Sequence, residues 1–322
     1  MAGLLPKACV PGAFEGPKTP THRGRVDCVE PVRCSAGWLI DKRTEAAVAV
    51  TPMDIPLGKD SDYPTTYTPS LLYSMERAES RAAMGISGDL PFVGEDVWTA
   101  FELSWLNDKG RPEVAAVRIK VPCTSPCIVE SKSVKLYLNS YAQTRFTSIT
   151  DVLGTLNSDF AIAFRAPVMV ELLEVNHLGE AVDQFPGVCL DDLDVRITSY
   201  LRDPKLLRLE DGDQRVVKET LYTNLFRSVC PVTGQPDWAS VMVQYLGRPI
   251  VRESLLKYLV SYRCHQAFHE TTVEQIYVDL QQRCRPEQLT VFGRFLRRGG
   301  IDISPFRSNV EEIAPVMRLS RQ

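Results

Sequence analysis

The sequence predicts an α+β protein made of two related halves, and three observations carry that prediction. Two apolar stretches, WTAFELSWL at 98–106 and WASVMVQYL at 238–246, alternate with the period of a strand. Two helical segments share Tyr-Leu-x-Ser-Tyr, at 137–141 and 258–262. Downstream of the second, Val273, Ile276, Tyr277 and Leu280 fall at i, i+3, i+4, i+7, the mark of a helix with one buried face.

Residues 1–52 are rich in proline, glycine and charge and weakly periodic, so they are expected to form a poorly ordered extension. The patterned sequence divides into a first half, 53–205, and a second, 206–322. LPFVGEDVWTAFELSWL (90–106) aligns with CPVTGQPDWASVMVQYL (230–246), matching Leu90 with Cys230, Pro91 with Pro231, Gly94 with Gly234, Trp98 with Trp238 and Leu106 with Leu246. Gly-Arg-Pro follows each stretch, at 110–112 and 247–249, and reads as a turn in both. Then come the helical segments ESKSVKLYLNSY (130–141) and RESLLKYLVSY (252–262), a phenylalanine after each (Phe146, Phe268), and a second helix. Thr271 and Glu274 have the spacing of a capping box for the later one. Strand and helix units of this kind predict antiparallel sheets with packed helices.

Composition narrows the function. A net charge of −3 leaves no basic footprint for nucleic acid, so no direct nucleic-acid partner is expected. No apolar run approaches the roughly 18 residues of a membrane span, and the N-terminus does not read as a signal peptide; the expected location is the cytoplasm. Nine irregularly spaced cysteines are not a disulfide framework, and Cys123 with Cys127, in a chain of four histidines, makes no convincing zinc site. The glycine signatures of dinucleotide and phosphate loops are absent.

A duplicated scaffold keeps packing residues in both copies, whereas chemistry can survive in one. Cys230 and Asp237 face Leu90 and Val97 in the alignment; His269 and Glu270 face Thr147 and Ser148. Conversely, Glu130-Ser131-Lys132-Ser133 faces Glu253-Ser254-Leu255-Leu256. Each half lacks what the other has, which predicts one composite site where unlike halves meet. Cys230 is the candidate nucleophile, with a nearby imidazole favouring thiolate, and Asp237 suits a proton donor better than an activator of sulfur. Glu270 precedes a helix, where the dipole favours an ionised carboxylate able to take two N–H bonds from an amidine-like edge. Taken singly, each has an ordinary reading: Cys230 a small buried thiol, His269 a structural histidine, Glu270 a helix-terminal charge, Lys132 a solvated lysine. Arg297-Arg298-Gly299-Gly300 reads equally as a phosphate contact or an exposed loop.

At PLGKDSDY, LPFVGEDVWTAFELSWLNDKG, ESKSVKLYLNSY, CPVTGQPDW, SYRCHQAFHE and RRGGIDISPFRSN the sequence resembles the bimodular 7-cyano-7-deazaguanine reductases, the QueF family of queuosine biosynthesis, from about residue 56 to the end. The resemblance implies the tunnelling fold, two related halves per chain, a homodimer, and NADPH-dependent reduction of the nitrile of 7-cyano-7-deazaguanine to an aminomethyl group. It implies that Cys230 forms a thioimide with the nitrile carbon and that Asp237 supplies a proton. Val129, Glu130, Ser131, His269 and Glu270 match its substrate positions, and Ser131, Lys132, Arg298 and Gly299 its NADPH positions. The competing readings are a cyclohydrolase-like or cysteine-dependent hydrolase on the same scaffold, and a catalytically silent purine-binding protein.

Overall fold

The computed structural model describes residues 63–175 and 182–322, so the expected extension at 1–52 lies outside the described residues. In chain order the elements are β1 (Ser74–Glu76), α1 (Ala78–Ala83), β2 (Val93–Leu106), β3 (Pro112–Pro122), β4 (Cys127–Val129), α2 (Ser131–Asn139), α3 (Ile149–Phe164), β5 (Met169–Leu173) and β6 (Val188–Cys189). They continue with β7 (Val217–Val229), β8 (Pro236–Gly247), α4 (Arg252–Ser261), α5 (His269–Cys284), β9 (Gln288–Phe295) and β10 (Ile301–Ser308). Eight strands share one sheet in the order β5-β3-β2-β10-β9-β8-β7-β6, while β1 and β4 pair separately. Only the β6–β7 pair is parallel among the described strands, which makes this the expected antiparallel α+β architecture.

Alternation along the strands decides which side chains meet the helices. Trp98 and Ala100 of β2 join Val117, Tyr137, Leu156 and Phe160 in a core of the first half, whereas Val97, on the other face, packs with Phe292 and Phe306. The second half has its own core of Val241, Leu255, Tyr258, Val273, Ile276, Tyr277 and Leu280. The predicted buried face of α5 is therefore present. Its capping box is not: α5 starts at His269 with Phe268 as N-cap, Thr271 lies inside the first turn, and buried guanidinium groups take the Glu274 carboxylate instead.

The repeat is real, but its strand register differs from the sequence alignment. The first half runs β2, β3, α2, α3, β5 and the second β7, β8, α4, α5, β9, so β2 matches β7 and β3 matches β8. Both hairpins bulge at the same point, between Ala100 and Leu103 in β2 and between Thr223 and Phe226 in β7. WTAFELSWL is thus the first strand of its hairpin and WASVMVQYL the second of its own. The counterpart of Cys230, just past the end of β7, is Asn107, just past β2, and not Leu90. Gly110-Arg111-Pro112 closes a hairpin, whereas Gly247-Arg248-Pro249 leads from a strand into a helix. The helix starts likewise match His269 and Glu270 with Ile149 and Thr150 rather than Thr147 and Ser148. Apolar alternation looks alike on either strand of a hairpin, so periodicity cannot tell first from second.

The tyrosine motif of the repeat is in register down to its hydrogen bonds, although the helix starts pair Glu130 with Val251 rather than Glu253. The Tyr137 and Tyr141 hydroxyls meet at 2.6 Å and Tyr137 donates to Asp159 of α3 (2.7 Å); Tyr258 and Tyr262 meet at 2.8 Å and Tyr258 donates to Asp279 of α5 (2.6 Å). The halves join where β2 pairs with β10, from Ala100 opposite Ile301 to Val93 opposite Ser308. Gly94 permits that approach: at φ 132° its backbone lies so close that a Cβ would sit 2.2 Å from the Phe306 carbonyl oxygen.

Candidate active site

Cys230 follows β7 and Asp237 is the second residue of β8, so the hairpin register that sets Val229 opposite Pro236 and Ser228 opposite Asp237 brings thiol and carboxylate to one end of the sheet. The connecting loop closes on itself: Cys230 N donates to Gln235 O (2.9 Å) and Gly234 N to Cys230 O (3.1 Å), with Gly234 at φ 69°. Val229 N donates to His265 O (2.9 Å) and Ala267 N to Val229 O (3.3 Å), which ties this loop to the segment that enters α5. His269, first residue of α5, therefore arrives beside Asp237, its Nε2 3.4 Å from Oδ2, with its ring stacked on Phe295 at 4.0 Å. Arg298, in the β9–β10 connection, donates through Nη1 to the other carboxylate oxygen. Burial works to raise the Asp237 carboxyl; the His269 and Arg298 contacts overcome it and hold the group below its ordinary value.

Glu270 is 3% exposed and makes no ion pair among the described residues. Burial raises its carboxyl, Asp96 adds to the rise, and Arg77 and His269 oppose it. These groups of the second half share a cleft with Trp98, Val129, Ser131 and Lys135 of the first. Its walls are otherwise apolar, from Ile128, Phe268, Leu296, Ile301 and Ile303. The cleft thus brings candidates from both halves of one chain together.

Of the sequence candidates, Cys230, Asp237, His269, Glu270, Val129, Ser131 and Arg298 line the cleft. Glu130 does not. Its carboxylate caps α2, Oε1 accepting from Lys132 N (2.7 Å) and Oε2 from Ser133 N (2.8 Å), because a helix N-terminus leaves amide donors unsatisfied. Lys132 and Gly299 lie off the lining; Gly299, at φ 57°, packs against Lys135, whose Cδ a Cβ there would approach to 3.2 Å. Sequence reasoning missed Lys135, although its i, i+4 spacing from Ser131 places both on one face of α2. Burial lowers the proton affinity of its ammonium group and Arg298 adds to this, against Glu130, Asp237 and Cys230. Trp98, matched with Trp238 in the repeat, also lines the cleft, and its indole Nε1 is buried with no hydrogen-bond partner among the described residues, as is Nδ1 of His269. A thiol beside an ionised carboxylate, a buried acceptor, two cations and flat apolar walls suit covalent chemistry on a planar, polar-edged molecule.

Comparison with known proteins gives the family. A model described as the N-terminal part of nitrile reductase, 7-cyano-7-deazaguanine reductase, matches residues 63–172, and one described as QueF-like protein matches 236–313. Fold and matches together define an oxidoreductase of the nitrile-reductase class. Proteins named NADPH-dependent 7-cyano-7-deazaguanine reductase are 48% identical in Bordetella bronchiseptica (269 residues; 83% of this chain, 98% of the relative) and 51% in Chromohalobacter salexigens (269 residues; 83% and 96%). The chain belongs to that family, the NADPH-dependent 7-cyano-7-deazaguanine reductases. The crystal structure of apo archaeosine synthase QueF-Like matches 31% of this chain and 96% of its own at 22% identity and a TM-score of 0.26, too low to add to the fold described above. No helix among the described residues is long and apolar enough to cross a membrane.

Proposed function

We propose that the protein reduces the nitrile of 7-cyano-7-deazaguanine to the primary amine of 7-aminomethyl-7-deazaguanine with NADPH, through a thioimide on Cys230, for queuosine biosynthesis. The observation that carries this reading is the shared cleft: Cys230, Asp237, His269 and Glu270 from one half, with Ser131 and Lys135 from the other, in a chain of this family. The reading includes a tunnelling fold for each half, a homodimer and a cytoplasmic enzyme acting on the free base.

A nitrile carbon is a weak electrophile, and sulfur addition divides one hard step into easier ones. As the sulfur–carbon bond forms, one carbon–nitrogen π bond opens and nitrogen takes the electron pair and a proton. Asp237 rests ionised, so it receives the thiol proton and returns it to that nitrogen. Glu270 accepts the paired N–H donors of the base, the His269 ring borders it, and the apolar walls take the ring faces. Ser131, Lys132, Arg298 and Gly299 would hold NADPH, and the fit rests on the cations Arg298 and Lys135 at the cleft and on the side-chain-free backbone at Gly299. When bound, it supplies the hydride equivalents. Mixing purified protein with the nitrile base and NADPH should oxidise about two NADPH per nitrile; no oxidation sinks the reading. Intact mass should show an adduct in the wild type and none in Cys230→Ala. The unit Met53–Gln322, which spans the matched region, is expected to retain activity without residues 1–52, and an inactive but folded truncation would refute that boundary.

A further inference from the structure

Beside Glu270 three arginines meet two carboxylates. Arg77, ahead of α1, reaches Asp96 of β2 (2.5 Å) and lies 3.6 Å from Glu274. Arg81 of α1 forks onto both Glu274 oxygens (3.0 and 2.7 Å), and Arg307 of β10 joins Asp96 (2.8 Å) to Glu274 (2.9 Å). All five side chains are buried, Arg307 completely. They come from both halves of the chain, and of the five the sequence singles out only Glu274, as a capping-box partner, which the structure does not bear out. Three guanidinium cations against two carboxylates leave one positive charge over, and an uncompensated charge at that depth is costly. Glu270 stands one turn before Glu274 on α5, about as buried and without an ion pair of its own among the described residues.

We infer that Arg77, Arg81 and Arg307 are positioning residues for Glu270: the cluster is electrically balanced when Glu270 is ionised, and so offers the cleft an acceptor suited to an uncharged base with adjacent N–H donors. The inference rests on the proposed reading of the cleft for its ligand, but not for the charge balance itself. A protonated Glu270 would turn an O–H donor toward those N–H groups and lose one of its two acceptor contacts. The other groups that act on it are Asp96 from β2 and His269 from its own helix, where Glu274 stands one turn on, and the cleft it lines also holds Lys135 of α2, Cys230, Asp237 of β8 and Arg298. Among them Arg77 and Asp96 act on Glu270 in opposite senses, Arg77 favouring the charged form and Asp96 opposing it.

That opposition gives the test. The titration midpoint of Glu270 is read by infrared difference spectroscopy of the carboxyl band, full-length protein minus its Glu270→Gln variant, in the wild type and in Arg77→Gln, Arg77→Lys and Asp96→Asn. The midpoint should rise in Arg77→Gln, fall in Asp96→Asn and stay near the wild type in Arg77→Lys. Midpoints that stay put, or move the same way in Arg77→Gln and Asp96→Asn as general loosening would make them, overturn the inference. If Arg77→Gln does not fold, Asp96→Asn decides it: its midpoint should fall while that of Arg77→Lys stays, and a midpoint that stays or rises in Asp96→Asn overturns the inference. Affinity for the nitrile base, measured by calorimetry in a Cys230→Ala background, should weaken about tenfold or more in Arg77→Gln at neutral pH and recover as pH rises. Opposite midpoint shifts with no base binding by any form would leave the charge balance standing and overturn the proposed substrate instead.

Discussion

Arg298 and Asp237 form an ion pair in the wall of the cleft, on the carboxylate oxygen that His269 leaves free. The pair keeps a 4% exposed carboxyl in its charged form, against burial. A charged Asp237 has no proton to give at the outset. In the proposed addition it acts as a relay between sulfur and nitrogen, whereas the sequence alone suggested a donor.

Replacing Arg298 with glutamine should therefore change the pH dependence of adduct formation. With only His269 opposing burial, the Asp237 carboxyl takes up its proton at higher pH, and a protonated Asp237 cannot accept from Cys230. The acid limb of the adduct rate, followed by intact mass with the nitrile base alone, should move to higher pH in Arg298→Gln. An unmoved limb would show that the ion pair does not set the charge of Asp237.

Acid stability should depend on Glu274. Burial raises its carboxyl, but Arg307, Arg81 and Arg77 together hold it below the ordinary value of 4.5. A depressed folded value means the network stabilises the protein above that ordinary value and loses this contribution as pH falls through the depressed one. Glu274→Gln should cost about 3–5 kcal/mol at neutral pH, since it leaves buried guanidinium groups unpaired. Its stability should also fall less steeply than the wild type's on acidification, with urea midpoints across pH as the measure. Parallel curves for the two proteins would count against this role.

The duplicated tyrosine pairs should each contribute to stability. Tyr258→Phe removes a donor to Asp279 and Tyr137→Phe a donor to Asp159, each leaving a tyrosine hydroxyl and a carboxylate short of a partner. Each should lose about 1–3 kcal/mol in urea unfolding. Asp279 keeps Arg202 through two bonds (3.0 and 2.7 Å), whereas Asp159 keeps one exposed hydroxyl, that of Tyr67 (2.7 Å), so Tyr258→Phe should be the better tolerated.

What the sequence made legible was local. The strand alternation at β2 and β8, the buried stripe of α5 and the Tyr-Leu-x-Ser-Tyr repeat each depend on spacing within one element, and each is present in the fold. The composite site followed from chemistry held by one half and missing from the other. Contacts made at a distance stayed hidden: Arg81 meets Glu274 across the two halves, and Arg298, a cofactor candidate in the sequence, meets Asp237 only through the turn after β9. A buried arginine in sequence looks like any other arginine. Lys135 was visible in principle from its helical phase with Ser131, but phase alone does not say which face meets the cleft.

Glu130 supplies the last prediction, because its two roles can be separated. Both of its oxygens are engaged by the amides of Lys132 and Ser133, so it fixes the first turn of α2, which in turn places Ser131 and Lys135 in the cleft. Glu130→Ala should lower Tm through loss of the cap, by about 0.5–2 kcal/mol of stability. Glu130→Asp keeps a carboxylate of good capping reach and should retain most of that stability. If Glu130 also touches the base, as the family resemblance implies, the aspartate variant should keep its Tm yet bind the base more weakly, because the shorter side chain cannot both cap the helix and reach the ligand. If the carboxylate serves only the helix, affinity and Tm should fall together in the alanine variant and recover together in the aspartate variant. Thermal melts and base calorimetry on the two variants distinguish these outcomes, and an unchanged Tm in Glu130→Ala would remove the capping role.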